Sequence, residues 1–174
     1  MKNILVPIDF SEHSNYAVEV AVDLAKKNAA TIVLLHCVEL PRRFVTESTS
    51  ALPEELFFMR EAGLNVKKVS DELKAQGISV KTAVETTALT YAVKNLLERE
   101  SVDFIVMGST GATGSKELFL GSNAEKIVRT SSVPVLVIKD KTDISKVKKL
   151  VFACDFSQKY VNAFKKAVAF ANDL

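Results

Sequence analysis

The residues with the most chemical potential lie in one stretch, VMGSTGATGSKELFLGSNAEKI, residues 106 to 127. Gly108, Gly111, Gly114 and Gly121 are interleaved there with the hydroxyls of Ser109, Thr110, Thr113, Ser115 and Ser122. Glycines let a chain turn tightly and bring its amides against a ligand with no Cβ in the way. Ser122 and Glu125 stand at capping-box spacing, which marks the start of a helix. A helix N-terminus offers unpaired N–H groups and the positive end of the peptide dipoles. Amides exposed by Gly111, Gly114 and Gly121 and leading into that terminus would form a nest suited to phosphate. The pattern is not a Walker A loop, because no G-K-[ST] occurs and Lys116 sits mid-loop. The competing reading is a long turn that merely joins a strand to a helix.

Asp9 is the second element. It follows an apolar run directly, and open parallel sheets bind ligands beyond their strand C-termini, where the strand order reverses. With the order 3-2-1-4-5, the ends of strands 1 and 4 are neighbours, so Asp9 faces the Gly108 loop. A carboxylate repels phosphate, and its natural partners are donors on a ribose or base. The alternative is that Asp9 caps the helix beginning near Ser11. Pro7 ends the first strand and Ile8 offers an apolar wall. Cys37, Val38 and Met107 would form the flat apolar side of a base pocket. Taken singly, each of these residues reads as core before ligand contact, and only their shared place at strand ends raises the functional reading.

Other chemistry finds little support. Cys37 and Cys154 stand alone in apolar segments, which disfavours a disulfide framework, a thiol nucleophile and a cysteine metal site. His36, inside an apolar run, reads as a satisfied core histidine. His13, in a first helical turn, reads as solvated. No metal-ligand spacing joins the two histidines, and no G-x-S-x-G elbow starts a hydrolase triad. No catalytic residue or metal ligand is therefore assigned. The acids of TESTSALPEEL are the one conceivable source of ligands for Mg²⁺.

The elements that must position these residues alternate. Apolar runs at 3–8, 30–39, 78–85, 101–108 and 132–139 predict five strands, too continuous for a sheet with one wet face. Between them lie a helical pattern with Val18, Ala21, Val22 and Ala25 at three- and four-residue spacing, helices over 53–76 and 86–100, and one from about 123 to 130. Pro53 suits a first helical turn, Gly77 a C-cap, and the threonines at 86 and 87 an N-cap. The proline in SVPVLVIK suits an edge strand. The expected fold is α/β, a three-layer sandwich around a five-stranded parallel sheet.

At 174 residues and a net charge of +2, the chain holds one sizeable core. Its scattered basic residues build no nucleic-acid face. No apolar run reaches membrane-spanning length, and the N-terminus reads as a strand and not as a signal peptide, so a cytoplasmic location is expected. KKLVFACDFSQKYVNAFKKAVAFAND repeats KNILVPIDFSEHSNYAVEVAVDLAKK at a constant offset of 146, matching Asp155 to Asp9 and Ser157 to Ser11. The expected organisation is a first unit over 1–140, a linker over 141–147, and the opening strand and helix of a truncated second unit over 148–174. Such a stub must pack on its own domain or on a neighbour.

VPIDFS, LLHC and VMGSTGATGSKELFLGSNAEKI…SSVPVLVI together resemble the universal stress protein family over 1–140. The G-x2-G-x9-G-[ST] pattern of its nucleotide-binding subset is met without a gap by Gly108, Gly111, Gly121 and Ser122. The resemblance implies a Rossmann-like sheet in the order 3-2-1-4-5 and a homodimer or pseudo-dimer through the fifth strand. It also implies ATP or AMP as ligand, with Asp9 and Cys37 at the base and ribose and Met107 and Gly108 holding the nucleoside. Gly111, Gly121, Ser122 and the amide of Asn123 would hold the phosphates. Two departures from the subset are Cys37 and Asn123, where valine is usual. The implied role is a stress-response regulator acting through nucleotide occupancy, with slow hydrolysis at most. A nucleotide-free scaffold is the alternative, and an adenylate-chemistry enzyme a more distant one.

Overall fold

The computed structural model describes residues 1–38, 52–110 and 120–173. Five parallel strands form one sheet: β1 (Asn3–Pro7), β2 (Thr31–Cys37), β3 (Ser79–Glu85), β4 (Phe104–Gly108) and β5 (Val135–Ile138). Their order is β3-β2-β1-β4-β5, as the alternation of apolar runs and amphipathic helices requires. The helices are α1 (Glu12–Asn28), α2 (Leu52–Ala75), α3 (Leu89–Arg99), α4 (Ser122–Thr130) and α5 (Val161–Asp173).

Side-chain alternation divides the core in two. Ile4, Val6, Ile32, Leu34 and Val106 face α1 and α2, joined by Ala17, Val20, Ala21 and Leu24 of α1 and Val66 and Leu73 of α2. Leu5, Val33, Leu35, Ile105 and Met107 point the other way, onto Ala92, Val93 and Leu96 of α3 and Ala124 and Ile127 of α4. Full burial of each such aliphatic side chain contributes about 1.5–3 kcal/mol. The central strands β1, β2 and β4 are closed on both faces, which is why they read as unbroken apolar runs. The edge strand β3 is only partly covered.

The boundaries follow local chemistry with two corrections. Ser11 caps α1 by accepting from the Ser14 N–H at 3.3 Å. Gly77 closes α2 at φ 83°, while the Ile78 N–H reaches back to Leu73 O. Helix α2 runs through Gly63 unbroken. The threonine caps expected for α3 are not used: its N-cap is Ala88, with no side-chain bond. The repeated segment also departs from expectation, because 148–154 forms no strand and only its helix, α5, is made. A strand needs a neighbour for its ladder, and this segment pairs with neither open edge of the sheet, β3 or β5. Helix α5 instead docks through Phe170, whose ring stacks on that of Phe104 at 5.0 Å and 15°. Lys166 Nζ also donates to Ser132 O.

Candidate functional site

Between β1 and β4 the chain order reverses, and the C-terminal ends of both strands open there. The β1 end is built by a short turn. Asp9 Oδ1 accepts from the Ser11 N–H at 3.1 Å and from its hydroxyl at 2.6 Å. Phe10 between them takes φ 62°, the left-handed region. This turn aims the chain from strand to helix, so Asp9 does organise the α1 start, acting on Ser11, which is itself the cap. His36 Nδ1 lies 2.8 Å from Ile8 O. A carbonyl only accepts, so the ring carries its proton on Nδ1. With Phe10 packed 4.9 Å from its ring, His36 is the satisfied structural histidine that its surroundings suggested.

The apolar residues sort by face. Cys37, the last residue of β2, packs against the same cluster as Met107. Both lie on the face that carries α4. Pro7 ends β1 between them, and the Val38 N–H is spent on Glu85 O at 2.8 Å. Ile8 belongs elsewhere. It is 6 % exposed and sits in the cluster beneath α1, on the opposite face. Its side chain cannot wall a pocket formed by Cys37 and Met107, because strand alternation turns it away.

Gly108 ends β4 under the first turn of α1. A Cβ built there would lie 2.8 Å from the His13 carbonyl carbon and 2.9 Å from its oxygen, so only glycine admits this crossing. Gly111 and Gly114 fall outside the described residues. Gly121 is the N-cap of α4, at φ −60° and ψ 150°, with no side-chain cap bond. Its N–H donates to Ser109 O at 2.8 Å, and an added Cβ would stand 3.0 Å from that same oxygen. The Gly121 amide is thus committed to the protein and not to a ligand. Its glycine identity serves close approach of two backbones.

The expected capping box is also not formed. Ser122 is the first helical residue and not the cap, and the Glu125 carboxylate pairs with Arg129 at 3.2 Å. The first intrahelical bond runs from the Glu125 N–H to Gly121 O. Helical geometry therefore gives the amides of Ser122, Asn123 and Ala124 no acceptor within α4. Ser122 and Asn123 are exposed, and a helix start with no side-chain cap is a place where an anion can be bound.

One contact escaped the sequence reading. His13, expected to be solvated, is half-buried, and its Nδ1 lies 3.1 Å from the Thr110 hydroxyl. The 97-residue separation leaves no periodicity to detect. The only hint was a glycine immediately before Ser109, at a strand end that a helix must cross. Among the described residues, no group of three or more histidine, cysteine or acidic side chains could hold a metal ion. No described helix is long and apolar enough to cross a membrane.

Known proteins share this architecture. A universal stress protein of Methanocaldococcus jannaschii, MJ0577, is 31 % identical over 155 residues, covering 80 % of this chain and 96 % of its own. Its solved structure superposes with a TM-score of 0.73 over 82 % of this chain and 98 % of that one. A universal stress protein structure from Archaeoglobus fulgidus, 28 % identical with a TM-score of 0.59, is matched over 79 % of this chain but only 44 % of its own length. A universal stress protein solved in complex with cAMP has a TM-score of 0.54 at 22 % identity, a likeness of fold, and is matched over 79 % of this chain and 96 % of its own. The model of the Universal stress protein family matches residues 1–139, and the chain belongs to that family.

Proposed function

We propose that this chain binds an adenine nucleotide, ATP or AMP, in the crevice between β1 and β4, and acts as a regulator through occupancy of that site. The observation that carries the reading is convergence on one face of the sheet. Cys37 and Met107 belong to one apolar cluster there, on strands either side of β1, and the N-terminus of α4, which has no side-chain cap, rises beside that cluster. A flat apolar surface and an anion-facing helix end, side by side at a strand-order reversal, suit a base at one end and phosphates at the other. In this proposal Asp9 takes the ribose or base donors. Cys37, Val38, Met107 and Gly108 hold the nucleoside, and the amides of Ser122 and Asn123 take phosphate. Gly111 and Gly114 belong to the phosphate loop by sequence pattern alone. The universal stress protein fold accommodates an adenine nucleotide in the relative solved with cAMP.

Regulation fits the residues better than catalysis. Fast phosphoryl transfer needs preorganised charge at the transferred group, and Gly108, Gly121, Ser122 and Asn123 carry no charged side chain. Mg²⁺ is not part of the proposal: of the acids of TESTSALPEEL, Glu47 lies outside the described residues, and Glu54 and Glu55 fall in the opening turn of α2. Two further elements complete the reading. The half-buried edge strand β5 is where a second unit would pair, in a homodimer or pseudo-dimer. Residues 148–174 begin a second unit of a tandem protein. The 146-residue repeat supports this, as does the Archaeoglobus relative, of which the chain spans less than half.

Calorimetric titration with ATP and with adenosine tests the proposal. Both should bind, ATP more tightly. Gly121→Val should weaken ATP by about tenfold or more while sparing adenosine, because its side chain would displace Ser109 O and tilt the α4 terminus. Failure of the wild-type protein to bind either ligand would leave only a scaffold.

A further inference from the structure

We propose that His13 is a positioning residue that sets the phosphate end of the site from outside it, a role that rests on the nucleotide reading above. Thr110, just past β4, and Gly121, at the start of α4, stand side by side as a neck that the fold must hold in place. The neck has two clasps. The first joins its ends directly: the Gly121 N–H donates to Ser109 O at 2.8 Å, and a Cβ added at Gly121 would press on Ser109 O and Thr110 Cα, at 3.0 and 3.3 Å. The second comes from α1: His13 Nδ1 lies 3.1 Å from Thr110 Oγ1, while the His13 backbone rides over Gly108.

His13 is itself fixed. Ser11, held by Asp9, caps the turn it occupies. The Tyr16 ring stands edge-on at 6.4 Å, and its hydroxyl bonds Glu12. A continuous set of contacts therefore runs from Asp9 through Ser11 and His13 to Thr110, Ser109, Gly121 and the first turn of α4. It links the ribose end of the crevice to the phosphate end without passing through the ligand. A threonine hydroxyl can donate or accept, so the His13–Thr110 bond fits either tautomer of the ring.

The consequence is a split between ligands. Among the described residues, the His13 ring reaches the phosphate side through Thr110. Removing its ring should therefore loosen the approach of the α4 terminus to phosphate and leave nucleoside contacts alone. Loss of one such hydrogen bond corresponds to about a 3- to 10-fold change in affinity. His13→Ala should weaken ATP by that factor with adenosine within about twofold, and His13→Asn, which keeps a polar group near the Nδ1 position, should restore ATP binding. Thr110→Val cuts the same bond from the other side. It should reproduce the ATP loss, and the double variant should be no worse than either single one.

Amide exchange in the ligand-free protein supplies a second readout. The Gly121 N–H should lose protection in His13→Ala and in Thr110→Val, while the Asn15 N–H, bonded to Ser11 O in α1, keeps it. Equal weakening of ATP and adenosine, failure of the asparagine to rescue, or unchanged Gly121 protection in Thr110→Val would each overturn the proposal. Should the wild-type protein bind no nucleotide, the functional reading falls on its own account. The exchange result then decides by itself whether His13 holds the neck: lost Gly121 protection supports the clasp, and retained protection removes it.

Discussion

Residues 2–28 and 148–174 carry the same pattern of side chains and meet different fates. In the first copy Leu5 is completely buried in a central strand, while its counterpart Val151 is 95 % exposed and in no strand. The turn that follows is nevertheless the same in both. Asp155 Oδ1 accepts from the Ser157 N–H at 2.9 Å, as Asp9 does from Ser11 at 3.1 Å, and Phe156 takes φ 60° against 62° for Phe10. A helix follows each turn, although the second begins later, after a short 3₁₀ turn at Gln158–Tyr160. The comparison separates two kinds of structure. An aspartate bonded to the backbone two residues on closes its own turn wherever the chain places it. A strand completes its hydrogen bonds only on a neighbour, and residues 148–154 pair with no strand of this sheet.

The largest effect that would test this contrast lies in the strands. Leu5→Ala should cost about 2–5 kcal/mol of unfolding free energy, because it opens a cavity in a closed layer. Val151→Ala should stay within about 0.5 kcal/mol. Urea denaturation of both variants measures the pair, and comparable losses would mean that the second copy is packed after all.

The turns give a smaller effect. Asp9→Ala should cost about 1 kcal/mol through loss of the bonds to Ser11. It should also weaken adenosine about tenfold if the carboxylate serves the ribose or base. Asp155→Ala, with the same local geometry but no crevice, should leave adenosine affinity unchanged. Adenosine binding that is insensitive to Asp9→Ala would make both aspartates purely structural, and the two copies equivalent.

The smallest effect concerns how β1 is anchored. Asp103 accepts from the Lys2 and Asn3 N–H groups at 2.6 and 2.9 Å, whereas the counterparts Lys148 and Lys149 are exposed. Burial alone would push the Asp103 carboxyl up, but the Asn3 and Lys2 amides, with the positive charges of the N-terminus and Lys2, outweigh it and hold it below the usual carboxylate range. A depressed folded-state value contributes stability that is present above the ordinary carboxylate range, near about pH 4, and lost as pH falls through the depressed value. Asp103→Asn should therefore cost less than about 1 kcal/mol at neutral pH. Its difference from wild type should vanish on acidification, as read from urea midpoints between pH 6 and 2.

Most of the fold was legible in the chain because its signals are local or periodic. Unbroken apolar runs reported strands closed on both faces, Gly77 reported its helix end, and the duplicated DFS reported a duplicated turn. Errors clustered where the deciding partner was distant. Ser122 and Glu125 have capping-box spacing, but the backbone of Ser109 draws Gly121 into the cap position instead. Ile8 follows the strand into the core beneath α1, a face set by the pleat and not by nearness to Asp9.

The sequence by itself determined the alternation of strands and helices, the Asp–Phe–Ser turns and the glycine spacing of the candidate phosphate loop, since each depends on residues a few positions apart. Tertiary structure alone decided which glycine amide is spent on the protein, that His13 braces Thr110, and that one of two matching segments becomes a central strand. Those outcomes depend on groups from different elements reaching hydrogen-bond distance, as His13 and Thr110 do across 97 residues. Local propensity carries no information about such encounters; only the closed sheet and its two packed faces bring them about.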